Sequence, residues 1–163
     1  MIICVLADTH LRSDVQAHLG ADALRVMRGA DLIIHAGDLV TAAVLDELAE
    51  IAPTHAVLGN NDRELASALP ETLDLVLEGL RVGVIHDSGP RPGRAGRLQR
   101  RFPGAGLVIF GHSHLPMDEQ ADGGLRLFNP GSPTQRRRAP FRSIGRLEIR
   151  DGELVEHAIV PLA

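Results

Sequence analysis

The sequence contains no lysine, tyrosine or tryptophan, only four phenylalanines and a single cysteine. Bases of single-stranded nucleic acid are held largely by aromatic stacking, so this composition argues against a dedicated nucleic-acid binder. One cysteine, Cys4, cannot support a disulfide framework, and we expect it to be a small buried side chain in a reducing cytoplasm. No apolar run approaches the roughly 18 residues that a membrane span needs. The apolar start lacks a basic lead and is interrupted by Asp8, which indicates a first strand and not a signal peptide.

All seventeen basic residues are arginine, and they are unevenly distributed. Residues 1–80 carry four Arg and thirteen acidic residues, a net −9, whereas residues 81–163 carry thirteen Arg and eight acidic residues, a net +5; the sum is the overall −4. A coding bias would explain the missing lysine but not this asymmetry. An acidic half that can hold cations and an Arg-rich half suit a site for metal ions and phosphate, because Arg binds phosphate bidentately.

Apolar periodicity in the first half predicts alternating strands and helices within one domain, residues 1–163. Thr41 is the expected N-cap of the second helix. A β-α-β-α-β order predicts a parallel sheet with right-handed crossovers. The predicted strands cover 1–7, 31–36 and 55–58, and the predicted helices 12–29, 41–50 and 62–69.

The second half has a different pattern, which is typical of antiparallel strands. A hairpin is predicted at 72–86 and another at 144–160, where Asp151-Gly152 forms the turn. A basic helix is expected near 94–102, and further strands at 106–110 and about 124–128. We therefore predict a parallel half and an antiparallel half that form two sheets packed face to face, with helices outside.

Five apolar runs end abruptly in residues that can bind a metal ion. In open α/β sheets, ligands gather at the carboxyl ends of the strands, so these residues are expected to converge. An isolated Asp-x-His or His-x-His is more often coincidence than a site, but all five together predict a metal centre with too many ligands for one ion. The candidates are Asp8, His10, Asp38, Asn60, His86, His112 and His114.

Other polar residues near these motifs have two interpretations each. Asp62 either orients Asn60 or Asn61 or caps a helix. His35 either supports the Asp38 turn or is an ordinary core histidine, while His157 is expected to be an ordinary strand residue. The tail 129–138 contains a Pro-Gly turn followed by Arg, which indicates either a phosphate-binding loop or a solvated basic run. If it binds phosphate, the candidates are Ser132, Arg136 and Arg137.

The ordered motifs Asp8-x-His10, Gly37-Asp38, Gly59-Asn60-x-Asp62, His86 and Gly111-His112-x-His114 resemble the calcineurin-like metallophosphoesterase superfamily. The small size and Asn129-Pro130-Gly131-Ser132 resemble its compact bacterial and archaeal phosphodiesterases, whose fold the retromer scaffold subunit shares. The resemblance implies a four-layer α/β/β/α sandwich of two mixed sheets with two divalent ions bridged by Asp38. It assigns Asp8, His10 and His114 to one ion and Asn60, His86 and His112 to the other.

The resemblance also implies hydrolysis of a phosphoester by in-line attack of a metal-bridging hydroxide on phosphorus. A shell of Asp, Asn and His without Cys suits Mn, Fe, Co, Ni or Zn, and its oxygen ligands favour Mn²⁺. Many members carry His where this chain has Asn61, and Asn cannot act as a general acid. We therefore expect either a preference for good leaving groups or a general acid supplied from elsewhere.

Small phosphodiesters or nucleotide-like molecules are the expected substrates, with Asn60, Asn61 and Asp62 as catalytic residues. The alternatives are a phosphomonoesterase, a non-catalytic metal-binding scaffold of the same fold and, with least support, a nuclease. Self-association is possible, and nothing in the sequence sets the oligomeric state.

Overall fold

Two five-stranded mixed sheets pack face to face in the computed structural model, which describes residues 1–12 and 18–163. Within those ranges the strands are β1 Ile2–Leu6, β2 Leu32–His35, β3 Thr54–Ala56, β4 Thr72–Leu77, β5 Leu80–Ile85, β6 Leu107–Ile109, β7 Met117–Gln120, β8 Arg126–Asn129, β9 Arg142–Arg150 and β10 Glu153–Leu162. The helices are α1 Ala21–Met27, α2 Ala43–Ala49 and α3 Arg94–Arg101, with a 3-10 turn at Arg63–Leu65.

Both sheets combine parallel and antiparallel pairs. The first has the order β10-β9-β1-β2-β3, in which β1, β2 and β3 are parallel and β9 is antiparallel to β1. The second has the order β4-β5-β6-β8-β7, in which β5, β6 and β8 are parallel. The parallel first half is confirmed, and so are the antiparallel hairpins predicted at 72–86 and 144–160. The second half is not antiparallel throughout, because β6 and β8 run parallel to β5. The segment containing α3 returns the chain so that β6 runs parallel to β5, and β9 and β10 complete the first sheet.

Three apolar clusters separate four layers. The two sheets meet through fully buried side chains such as Val5, Ile109 and Phe128. Met27 of α1 and Leu48 of α2 pack on the outer face of the first sheet, and Phe102 after α3 packs on the second. This arrangement confirms the four-layer α/β/β/α fold. Cys4 is buried and free, as expected.

Several predicted elements differ in length or are absent. The helix predicted at 12–29 is described only as α1, and its part at 13–17 lies outside the described residues. Thr41 does not cap α2, which begins at Ala43; its hydroxyl donates to the Leu11 carbonyl at 3.4 Å. The helix predicted at 62–69 is only a 3-10 turn. Strand β7 was not predicted, because its sequence, Met-Asp-Glu-Gln, is that of a charged edge strand. None of the helices among the described residues is long and apolar enough to span a membrane.

Candidate metal centre

The seven predicted ligands lie in loops that follow five strands of the two sheets. These loops meet at one end of the sandwich, because the parallel strands β1, β2, β3, β5 and β6 deliver their carboxyl ends there. The structure therefore brings together residues that are up to 106 positions apart. The loops follow β1 (Asp8 and His10), β2 (Asp38), β3 (Asn60), β5 (His86) and β6 (His112 and His114).

One group of ligand atoms is formed by Asp8, His10 and His114. The Nε2 atoms of the two histidines are 3.1 Å apart, and their rings stack with centroids 5.1 Å apart. Asp8 Oδ1 lies 3.6 Å from His114 Nε2 and 3.9 Å from His10 Nε2. These three residues offer ligand atoms within 4.8 Å of one another, which is compatible with one cation.

A second group is formed by Asn60, His86 and His112. Asn60 Oδ1 lies 3.0 Å from His86 Nε2 and 3.0 Å from His112 Nδ1. The two ring nitrogens are themselves 3.3 Å apart. A neutral amide oxygen and two imidazole nitrogens thus face one point.

Asp38 lies between the two groups. Its Oδ2 atom is 3.4 Å from His10 Nε2 and 3.5 Å from His86 Nε2. Ligand atoms of Asp8, Asp38 and His86 also lie within 4.8 Å of one another. A carboxylate at the position of Asp38 can be a ligand to a cation in each group.

Backbone carbonyls fix the orientation of two of the imidazoles. His86 Nδ1 donates to the Ala36 carbonyl at 2.8 Å, and His114 Nδ1 donates to the Gln135 carbonyl at 2.9 Å. A carbonyl only accepts, so the neutral rings carry their proton on Nδ1 and turn the Nε2 lone pair toward the carboxylates.

The electrostatics of the cluster fit divalent cations. Burial raises the pKa of Asp8 to about 7, and its buried Oδ2 atom is one of two buried side-chain atoms without a hydrogen-bond partner among the described residues. Burial would also raise the pKa of Asp38, but the neighbouring His86 ring and hydrogen bonds from Asn61 outweigh it and hold the pKa well below the usual range. Burial lowers the pKa of His114 to about 4, which keeps the ring neutral. An unpaired buried carboxylate oxygen beside the neutral His114 ring is a costly arrangement that a bound cation would offset.

The backbone around the ligands is strained. Five of the seven candidates have φ between 44° and 68°, a left-handed conformation that costs non-glycine residues roughly 1–3 kcal/mol each. Hydrogen bonds between the first two loops stabilise it: Asp8 N donates to Gly37 O at 2.9 Å and His10 N to Asp38 O at 3.0 Å. Such strain concentrates at functional sites. The five residues are Asp8, His10, Asp38, His112 and His114.

Asp62 connects the second and third loops. Its Oδ2 atom accepts from Asp38 N at 2.8 Å and Gly59 N at 2.7 Å, and its Oδ1 atom accepts from Val40 N at 2.7 Å. Its carboxylate makes no cap bond to the 3-10 turn, so the interpretation as a side-chain cap is wrong. Among the described residues, its carboxylate also makes no hydrogen bond to the side chain of Asn60 or Asn61. It holds the backbones on which Asp38 and Asn60 sit, which sequence spacing alone did not indicate.

Asn61 and His35 support the Asp38 loop. Asn61 donates to both Asp38 oxygens, from N to Oδ1 at 2.8 Å and from Nδ2 to Oδ2 at 2.6 Å. His35 is fully buried, accepts from Gly37 N at 3.2 Å through Nδ1, and has Nε2 3.2 Å from Thr9 Oγ1. The structure therefore favours the supporting role for His35. Burial lowers its pKa to about 3, so the ring is neutral.

The tail loop packs against the Asp8 loop. Ser132 Oγ donates to the Asp8 carbonyl at 2.7 Å, and Thr134 Oγ1 donates to the Thr9 carbonyl at 2.6 Å. Ser132 is only 1% exposed, so this geometry supports an anchoring role in place of the predicted phosphate contact. Arg136 is also turned away, with Nη1 3.5 Å from the Pro140 carbonyl. Arg137, by contrast, lines a cavity beside His10.

Two cavities adjoin the cluster, one beside each ligand group. The larger has a volume of about 630 Å³, and the smaller about 370 Å³. The larger is lined by His10, Arg12, Val40, Thr41, Asn61, Glu64, Gln135 and Arg137. The smaller is lined by Leu58, Gly59, Asn60, Glu71, Thr72, Ile85, His86, Asp87, Arg101 and His112.

Comparison with known proteins shows the family and the fold of the chain. The calcineurin-like phosphoesterase superfamily domain matches residues 1–152. A protein of Methanocaldococcus jannaschii named as a probable metallophosphoesterase is 36% identical, and the match covers 99% of this chain and 82% of that protein. Vps29 from Entamoeba histolytica complexed with Zn²⁺ has a TM-score of 0.79 at 24% identity, covering 99% of both chains. A structure described as a novel archaeal phosphodiesterase has a TM-score of 0.71 at 20% identity, covering 98% of this chain and 100% of that chain; at these identities both likenesses show the fold. The chain thus belongs to the calcineurin-like phosphoesterase superfamily.

Proposed function

We propose that the protein is a dimetal-dependent phosphoesterase that acts on small phosphodiesters. The observation that carries the proposal is the position of Asp38, whose Oδ2 atom lies within 3.5 Å of a histidine nitrogen from each ligand group. One carboxylate shared by two groups is the arrangement a two-ion site requires, because it offsets repulsion between the cations.

The ligand division is proposed as Asp8, His10 and His114 for one ion, Asn60, His86 and His112 for the other, and Asp38 for both. Two divalent ions would activate water at neutral pH and neutralise charge on the phosphoryl oxygens. The oxygen ligands of Asp8, Asp38 and Asn60 favour Mn²⁺, while the four imidazoles also suit Fe, Co, Ni or Zn.

The protein residues fix the position of the metal ligands and do not transfer a proton to the leaving group. Asn61 fixes Asp38 through two hydrogen bonds and reaches the edge of the larger cavity, where its amide can contact a phosphoryl oxygen. It cannot protonate a leaving group. The absence of a general acid at this position, worth roughly 10²–10⁴-fold in rate, supports a preference for diesters with good leaving groups.

The structurally similar archaeal protein described as a phosphodiesterase supports phosphodiesterase activity. The single free Cys4 supports a cytoplasmic location. The likeness to Vps29 favours a second candidate, a metal-binding scaffold without hydrolytic activity. A scaffold released from catalysis would be free to lose some of its ligands, whereas all seven ligand positions here carry residues able to bind a cation. We therefore place catalysis first.

The test compares hydrolysis of bis-p-nitrophenyl phosphate and p-nitrophenyl phosphate with Mn²⁺, Co²⁺, Ni²⁺, Zn²⁺ and Mg²⁺. We expect metal-dependent cleavage with the diester preferred. Asp38→Ala should lose activity by more than about 100-fold, since even the outer partners of metal ligands are worth roughly 10–100-fold. Asp74→Ala is the control, because Asp74 is exposed and pairs with Arg81 away from the site.

Calorimetric titration with the same ions distinguishes a loss of hydrolysis from a loss of metal binding. Metal binding without hydrolysis of either reporter would favour the scaffold. Full activity of Asp38→Ala would contradict the shared-ligand assignment, and a higher kcat/KM on the monoester would make the protein a phosphomonoesterase.

A further inference from the structure

We propose that the larger cavity binds a second anionic group, carried on the non-leaving arm of the diester, and that Arg137 selects it. This inference rests on the proposed phosphodiesterase function and names the substrate class: an unsymmetrical small diester with a carboxylate or phosphate on one arm.

The larger cavity is placed and sized for an ester arm. It shares His10 and Asn61 with the metal centre, so a group inside it is adjacent to the reacting phosphorus. Its volume of about 630 Å³ falls in the range of pockets that enclose whole small molecules. A single phosphoryl group held by the ligand cluster would leave most of this space unfilled.

The loop that carries Arg137 is anchored at the metal centre. Ser132 and Thr134 bind this loop to the segment Asp8–Thr9 after β1, and the carbonyl of Gln135 accepts from His114 Nδ1. Arg137 itself has φ of 48°, and the neighbouring lining residue Val40 has φ of 80°. Of the nine non-glycine residues with positive φ among the described residues, seven lie at this site; the other two, Glu78 and Asp151, lie in hairpin turns.

The Arg137 guanidinium faces the cavity without a protein anion. It lines the same cavity as His10, which places it beside the cluster. Within residues 1–12 and 18–163, however, it forms no ion pair with Asp8, Asp38 or any other carboxylate. A side chain that is exposed, positioned and unpaired is suited to a ligand anion, since Arg binds carboxylate and phosphate bidentately.

The charges of the described lining favour one anionic group beside Arg137. Arg137 contributes a positive charge to this lining, and Glu64 contributes a negative one. A polyanion would place negative groups against Glu64, which argues against a nucleic-acid strand. A single carboxylate or phosphate is sufficient to pair with Arg137.

The smaller cavity has a more apolar and acidic lining, which suits the leaving-group arm of the diester. It combines apolar Leu58 and Ile85 with Glu71 and Asp87, against one cation, Arg101. Arg101 is already engaged, because Nη2 donates to Thr72 Oγ1 at 2.6 Å. This side favours an uncharged leaving group, so the two arms of the substrate are expected to differ in charge.

Three diesters that share the p-nitrophenolate leaving group test the inference with the Mn²⁺-loaded protein. Their second arms are 2-carboxyethyl, ethyl and choline, which are anionic, neutral and cationic. We expect kcat/KM to fall in that order by about 10-fold per step, as for one charge-assisted hydrogen bond. Arg137→Gln should abolish the preference for the carboxyethyl diester over the ethyl one, and Arg137→Glu should favour the choline diester. Arg138→Gln, an exposed neighbour outside the cavity lining, should keep the wild-type order.

An unchanged order of kcat/KM in Arg137→Gln would overturn the inference. An equal loss of kcat/KM on all three diesters would also overturn it, because it would place Arg137 at the reacting phosphoryl group.

Calorimetric binding of 3-phosphonopropionate and ethylphosphonate separates failure of the cavity assignment from failure of the proposed function. Suppose that no diester is hydrolysed, that the wild type binds 3-phosphonopropionate about 10-fold more tightly than ethylphosphonate, and that Arg137→Gln binds the two equally. This result would retain the cavity assignment and reject catalysis. Equal binding of both phosphonates by the wild type would overturn the cavity assignment as well.

Discussion

Buried charge is the main energetic cost carried by individual residues of the candidate metal centre. Asp8 is fully buried with an unpaired Oδ2 atom, and Asp38 lies in the same cluster at 2% exposure. An ionised carboxylate removed from water without full compensation is strongly unfavourable. Together with the left-handed backbone of five ligands, this means that the residues are arranged for a cation at the expense of the stability of the metal-free chain.

Asp8→Asn tests this cost. The amide keeps the shape and can still accept from His112 N, a bond of 3.2 Å in the wild type, but it removes the buried negative charge. Without metal we expect the variant to melt at or above the wild-type Tm. At a metal concentration 100 times Kd, the wild type should gain about 2.7 kcal/mol, or roughly 5–10 °C, and the variant much less.

Differential scanning calorimetry with and without Mn²⁺ measures both quantities. A metal-induced rise in Asp8→Asn equal to that of the wild type would show that Asp8 is not a ligand. A large loss of Tm in the metal-free variant would contradict the cost assigned to its carboxylate.

Asn61→His tests the missing general acid. The imidazole can donate a proton, so turnover of diesters with alkyl leaving groups should rise by up to about 10²-fold, while that of p-nitrophenyl esters changes little. Hydrolysis rates on both substrate types, with Asn61→Gln as a control that cannot donate a proton, provide the comparison. Equal changes on both types would refute the explanation.

Close approach of loops positions the ligands at the scale of secondary-structure elements. Gly37 has φ of 87°, and a Cβ there would lie 2.8 Å from His86 Nδ1 and 2.9 Å from Gly59 Cα. The loop after β2 therefore packs directly on the loop after β3 and on the histidine that follows β5. Glycine is required by contact as well as by backbone conformation.

Gly37→Ala should lower stability by the cost of the left-handed backbone, about 1–2 kcal/mol, and by a further 1–3 kcal/mol, roughly, of steric overlap. Because the overlap displaces His86, metal affinity should fall with it. Gly29→Ala is the matched control: φ is 73°, but a Cβ at Gly29 would have no atom within 4 Å, so only the backbone cost applies. Urea unfolding and metal titration of both variants measure the difference, and similar results for the two would contradict the packing role of Gly37.

The whole molecule depends on two sheets that approach closely without filling the interface with large side chains on both sides. Gly145 of β9 lies against the Phe128 ring of β8, and a Cβ at Gly145 would also lie 3.1 Å from Val5 Cβ. At the edges, His157 of β10 pairs with Asp118 of β7 at 2.5 Å, and Asp118 also pairs with Arg126 of β8 at 3.0 Å. The prediction of an ordinary strand residue at His157 is incomplete, because this side chain links the edge strands of the two sheets.

Gly145→Ala should destabilise the protein by about 1–3 kcal/mol, because the new methyl group overlaps the fully buried Phe128. Gly96→Ala is a control of opposite sign. Gly96 lies within α3 and has only a flexible Arg100 atom at 3.4 Å, so alanine should add roughly 0.5–1 kcal/mol. Chemical denaturation measures both, and a neutral Gly145→Ala would show that the sheets can move apart at no cost.

Local sequence was sufficient for the features that depend on the order of residues along one strand and its following turn. The runs ending at Asp8, His35 and His112 are buried strands followed by polar residues, and their alternation with helices fixed the parallel β1-β2-β3 pairing. Strand ends meet at one sheet edge whatever fills the rest of the sheet, which is why the sequence alone could group the candidate ligands. The same pattern could not assign β9 and β10 to the first sheet, because hairpin signals do not specify a partner strand.

Long-range contacts decided the rest. The carboxylate of Asp62 binds three backbone amides in two loops, Ser132 anchors the tail to Asp8 across 124 positions, and Arg137 faces the cavity while Arg136 turns away. No sequence spacing distinguishes adjacent arginines or reveals which buried amide a carboxylate will accept from. The sequence by itself determined which chemical groups stand at the strand ends, because that follows from local periodicity. Only the tertiary structure decided which of them face each other and which face a substrate, because those relations depend on hydrogen bonds and packing between distant segments.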